Sequence, residues 1–156
     1  MEITTREDIA ASIDAVFEHI SDFDWFERAA LRRGAEIVRI DSLTEPGPGM
    51  KWRAEFEYRG RVRKANVELT EYDKPNGMRA LMHSAGLEMD ASIELVAMSR
   101  SRTRLNIVVK AEPQTIPARL MIQSAKLART SIQKRFRRRV AEYSAELEER
   151  CQARGV

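Results

Sequence analysis

Trp52 and Phe56 stand in the run "GMKWRAEFEY", where Met50, Trp52, Ala54, Phe56 and Tyr58 alternate with Lys51, Arg53, Glu55, Glu57 and Arg59. A two-residue period puts the apolar set on one face of a strand, so both rings look the same way and could grip a flat or greasy ligand. Glu7 shares the strand phase of Ile3 and Ile9. A carboxylate on a covered face is a candidate general acid or base, and Glu7 is the one acid with a positional argument for that role. The run "KLARTSIQKRFRRRV" carries Lys126, Arg129, Lys134, Arg135, Arg137, Arg138 and Arg139 with no acid among them. At about 100° per residue these cations cover most of a helix outside the stripe of Ile132, Phe136 and Val140. Such a surface could attract the phosphates of RNA or of an anionic membrane; otherwise it is a solvated face that meets glutamates.

Other chemistry finds little support. The loop "EPGPG" could suggest a phosphate cradle, but Pro46 and Pro48 have no N–H to give an anion. His19 and His83 lack a second ligand at metal spacing, and Cys151 is the single cysteine. No serine sits in a nucleophile elbow and no lysine in an apolar run. The expectation is no metal, no cofactor and no covalent catalysis, with binding favoured over turnover.

The elements that position these residues follow from periodicity. Residues 2 to 10 alternate and read as a first strand. Ile13, Val16, Phe17 and Ile20 then recur at helical spacing behind Ser12, a suitable N-cap. A second short helix is predicted from Ser21 or Asp22 to a stop at Gly34, with Phe23, Phe26, Ala30 and Leu31 as its apolar residues. From Glu36 to Glu112 the two-residue period gives six strands, broken at "EPGPG", "RGR", "DKPNG", "AG" and "SRS". The last segment, from Thr115 or Pro117 to about Arg150, has no proline or glycine after Pro117 and reads as one helix, on the order of 50 Å long. Its first half is apolar over a wide arc that includes Ala118, Leu120, Met121, Ile122, Ala125 and Leu127. The fold class is therefore α+β, a one-faced antiparallel sheet covered by a long terminal helix.

With 156 residues, 43% hydrophobic and 33% charged, the chain has the size and composition of one globular domain spanning residues 1–156. Its net charge of +3 is unevenly spread: residues 115 to 156 carry 10 Lys and Arg against 4 Glu. The charged start "MEITTREDIA" does not read as a secretory signal, no apolar run approaches a membrane span, and the lone cysteine suits a reducing compartment. A cytoplasmic location is expected.

Element order and local residues together resemble the SRPBCC superfamily, the START-like and Bet v 1-like proteins that include polyketide cyclase and dehydrase relatives. The matching pieces are "IAASIDAVFEHISDFDWF" from Ile9 to Phe26, "GPGMKWRAEF" from Gly47 to Phe56, "VELTEYDKPNGM" from Val67 to Met78 and "TRLNIVVKAEP" from Thr103 to Pro113. Where the superfamily usually opens the first helix with proline, this chain has Ser12. The resemblance implies a helix-grip fold, a seven-stranded curved sheet around the last helix. It also implies an apolar cavity between sheet and helix for a lipid, polyketide or similar molecule. Phase and resemblance together nominate Trp52, Phe56, Val67, Met89, Ile93 and Leu105 on the sheet and Met121 and Ala125 on the helix as ligand-binding residues. The resemblance carries over no catalytic residue. Alternatives are a cyclase or dehydrase using Glu7, and a module that docks on RNA, ribosome or anionic membrane through Arg129, Lys134, Arg135, Arg137, Arg138 and Arg139.

Overall fold

A computed structural model describes residues 1–153. The expected domain extends to Val156, and residues 154 to 156 lie outside the described residues. In chain order the elements are β1 (Glu2–Ile9), α1 (Ile13–Ile20), α2 (Phe23–Arg32), β2 (Glu36–Arg39), β3 (Lys51–Tyr58), β4 (Arg61–Asp73), β5 (Gly77–Ser84), β6 (Leu87–Ser99), β7 (Arg102–Pro113), α3 (Ile116–Leu127) and α4 (Arg129–Ala153). The strands form one antiparallel sheet in the order β1-β7-β6-β5-β4-β3-β2. Register shifts at Leu69/Glu71 and Ala97/Ser99 bend it, since a bulge locally kinks and twists its strand.

Local chemistry sets the boundaries. The Ser12 hydroxyl accepts a hydrogen bond from the Ala15 amide, and the Asp22 carboxylate accepts one from the Trp25 amide, each at 3.2 Å, so both helices start at side-chain caps. Arg59 and Gly60 join β3 to β4, and Ala85 and Gly86 join β5 to β6. All four residues have positive φ, as two-residue hairpin turns of this hand require. The second hairpin also docks: a Cβ on Gly86 would collide with Thr115, the cap of α3, and the Gln114 amide donates to the Gly86 carbonyl at 2.7 Å.

Asp41 organises the connection between β2 and β3. Its carboxylate accepts from the Arg39 guanidinium at 2.9 Å and from the amides of Leu43 (2.9 Å) and Lys51 (2.8 Å). The Arg39 hydrogen bond foremost, helped by those amides, holds the Asp41 carboxyl well below the usual carboxylate range. A depressed folded-state pKa means that the contribution is complete above the unfolded value of about 4 and is lost as pH falls through the lower folded value. Protection of the Leu43 and Lys51 amides, taken relative to their intrinsic exchange rates, should therefore fall in Asp41→Ala at neutral pH, and in the native protein only under strong acid.

The terminal helix departs from expectation. It begins behind the Thr115 cap, at one of the two starts expected, but it is divided at Ala128, whose amide bonds back to Ala125 instead of continuing the α pattern. α3 lies against β7, and α4 runs beside β1. The match to β1 extends over its length: Arg129 donates to the Glu2 carbonyl at 3.3 Å, and Glu148 accepts from the Ala10 amide at 2.6 Å. Nineteen helical residues rise about 28 Å and eight strand residues about 27 Å, so the two elements keep pace. Val140, Ser144, Leu147 and Cys151 are the buried positions of α4. They belong to the side that completes a core with Ile9, Val16, Phe17, Leu69, Leu95 and Leu105. Among the described residues no helix is long and apolar enough to cross a membrane.

Candidate functional site

Cross-strand neighbours build the floor of an apolar cavity of about 270 Å³. The register sets Trp52 of β3 beside Val67 of β4, Ala54 beside Ile37 of β2, Ala80 of β5 beside Ala91 of β6, and Met78 beside Ile93. Three of these eight residues are alanine, and a short side chain on a bent sheet leaves space above it. Ile20 at the end of α1 and Phe23, Phe26 and Glu27 of α2 close the space from above. Phe23 meets the Trp52 ring at 5.2 Å between centroids. Arg79 borders the cavity, but its guanidinium is engaged by Asp90 and Glu71 on the outer face, and the Arg79 hydrogen bond holds the Asp90 carboxyl below its ordinary range.

Glu27 is therefore the acid in this wall. Its Oε1 accepts a hydrogen bond from the Trp52 indole Nε1 at 2.9 Å, and Oε2 has no hydrogen-bond partner among the described residues. That bond satisfies the one polar atom of a nearly buried indole and ties α2 to the floor. Phe26 is shared with a second, more polar depression of about 460 Å³ between α2 and α4. There the rings of Trp25, Phe26 and Tyr143 contact one another at 5.0 to 5.9 Å, and Arg150 stacks over Trp25. The Tyr143 hydroxyl is buried without a hydrogen-bond partner among the described residues, and that burial pushes its pKa up.

No family model matches the sequence, and no curated protein matches it either. Solved structures do match in three dimensions. The Zhui aromatase/cyclase from Streptomyces sp. R1128 superposes with a TM-score of 0.70 over 99% of this chain and 98% of that one, at 15% identity. The chain has the helix-grip fold. A START superfamily protein from Mycobacterium smegmatis (TM-score 0.55, 12% identity, 86% of this chain and 95% of that one) has the same layout. So does norcoclaurine synthase from Thalictrum flavum (0.58, 15%, 73% and 70%). At these identities the likeness establishes the helix-grip fold and no activity.

In this helix-grip chain the nominated residues separate. Trp52, Val67 and Ile93 come together in the cavity wall. Leu105 is sealed in the core, while Phe56 and Met89 have the inward phase but sit further along their strands, opposite Arg63 and opposite Met82 and Ala111. Met121 is 46% exposed and Ala125 half-buried, both on α3, outside the cavity lining. The expected opposite wall is thus corrected: α1 and α2 supply it, because α3 and α4 are committed to β7 and β1. Glu7 is half-buried opposite Leu105 on the strand that α4 follows, again outside the cavity lining. Sequence reasoning missed Glu27 as a site residue. Phe23 and Phe26 were visible as the apolar face of α2, and Glu27, next on that face, was the available signal.

Proposed function

We propose that the protein binds a hydrophobic small molecule, such as a lipid or polyketide, in the cavity beneath α2. The observation that supports this is an apolar cavity of about 270 Å³ whose wall holds one acid, Glu27, already tied to Trp52. Its size approaches the roughly 300 Å³ at which small-molecule sites begin, which suits a compact ring system or a short chain. Native mass spectrometry of the purified protein, together with titration of the apolar fluorophore N-phenyl-1-naphthylamine, tests the reading. Neither a retained molecule nor saturable fluorophore binding would leave it without support.

A second reading is a cyclase or dehydrase acting on a ligand held in the same place. Glu27 favours it, because its unpaired Oε2 could take a proton from a carbon acid or deliver one to a departing hydroxyl. The likeness to an aromatase/cyclase agrees with it. Glu27→Gln keeps an acceptor for the Trp52 N–H while removing the base. If a substrate is turned over, kcat should fall by about 10² to 10⁴, the usual contribution of a positioned acid or base. An unchanged kcat with intact binding would remove the role.

A further inference from the structure

The N-terminal part of the terminal helix presents three of its large aliphatic residues to solvent. On α3, Ile116 is 74%, Leu120 60% and Leu127 92% exposed, whereas the opposite side buries Ala118 and Ile122. At about 100° per residue Ile116, Leu120 and Leu127 fall within about 40° of one another, so they form a single ridge. Arg119 and Lys126 flank that ridge on one side, and both are exposed. The chain resumes as α4 after Ala128, with Ile132 bonding back to Ala128, and α4 carries exposed Lys134 and Arg138 in its first turns. From Pro113 to Ala141 there is no acidic residue. Lys134, Arg135, Arg137, Arg138 and Arg139 are exposed, and none forms an ion pair among the described residues.

We infer that this ridge docks the protein on an anionic lipid bilayer, with Ile116, Leu120 and Leu127 entering the headgroup boundary and the cations of α3 and α4 resting on lipid phosphates. Aliphatic side chains beside an unpaired cationic face are the combination an interfacial helix uses: apolar burial supplies adhesion and charge selects the surface. A second copy of this chain fits poorly, because it would bring like charges together. RNA would use the cations but has no use for three aliphatic side chains, and the one aromatic residue within the basic run, Phe136, packs against the core. The inference does not depend on what the cavity holds.

Vesicle flotation tests it, with phosphatidylcholine vesicles alone or containing phosphatidylglycerol. The native protein is expected on the mixed vesicles and not on phosphatidylcholine alone. The triple variant Ile116→Ser, Leu120→Ser, Leu127→Ser should lose roughly tenfold or more of its partitioning, and the charge variant Arg119→Gln, Lys126→Gln, Lys134→Gln, Arg138→Gln at least as much. Both variants should keep the native melting temperature and fluorophore binding, since every changed side chain is exposed. Failure of the native protein to float on mixed vesicles overturns the inference. So does undiminished flotation of the serine triple, which would reduce the contact to charge adsorption. Conversion of a native dimer to a monomer by the serine triple would assign the ridge to self-association. Poly(U) binding that survives the serine triple and displaces vesicles would assign the surface to nucleic acid.

Discussion

Ala91→Phe is expected to weaken apolar ligand binding by roughly 70-fold, taking about 100 Å² of lost ligand contact at about 25 cal/mol per Å². Ala91 lies mid-floor, with Ala80 on one side and Val109 on the other, and its side chain points into the space beneath α2. A benzyl group at that position occupies the volume a ligand would need. Enlarging a residue in a filled core costs about 1 to 3 kcal/mol, but here the added ring meets empty space, so thermal stability should hold or rise. N-phenyl-1-naphthylamine titration reads the loss, and Ala54→Phe should reproduce it from β3, across β4 and β5 on the other side of the cavity floor. Native affinity in both variants would place the ligand elsewhere and defeat the proposed function, whatever the vesicle experiments show.

Phe17→Ala should cost the most stability, about 3 to 5 kcal/mol, out of the 5 to 15 kcal/mol by which such domains usually exceed their unfolded state. Phe17 is 0% exposed and meets Tyr72 edge-on, with ring centroids 5.4 Å apart. It anchors α1 in the core formed with Ile9, Val16, Leu69 and Leu105. Removing its ring leaves a cavity that backbone relaxation closes only in part. Because Ile20 and then α2 follow directly from α1, the roof of the site should lose definition too, and ligand affinity should fall with stability. Urea unfolding measures the first effect and fluorophore titration the second. Leu127→Ala is the contrasting control: at 92% exposure it should stay within about 0.5 kcal/mol of the native protein. A loss below about 1 kcal/mol for Phe17→Ala would mean that α1 is not held as the core contacts imply.

The strands were legible because each has one wet face, and alternation such as Met50, Trp52, Ala54, Phe56 survives even where a strand bends. Helix starts at Ser12, Asp22 and Thr115 were legible because capping is local chemistry. The side of the sheet on which each helix settles was not, since amphipathic spacing gives a helix a greasy face without naming its partner. This is why Met121 and Ala125 pointed to a wall that Phe23, Phe26 and Glu27 supply. The division at Ala128 had no proline or glycine to announce it. Leu120 and Leu127 read as covered because an apolar residue on a helix is ordinarily covered; their exposure appears only once α3 is set against β7.

α2 roofs the cavity without one fully buried residue, held by ring contacts and by the bond from Trp52 to Glu27. A segment so lightly seated detaches at a fraction of the free energy that unfolding the whole requires. Its ten residues run between Ser21–Asp22 and Arg33–Gly34, the latter a glycine at φ 88°, and these two turns are where such a detachment would bend the chain. A ligand bound as proposed would then enter and leave while all seven strands stay zipped.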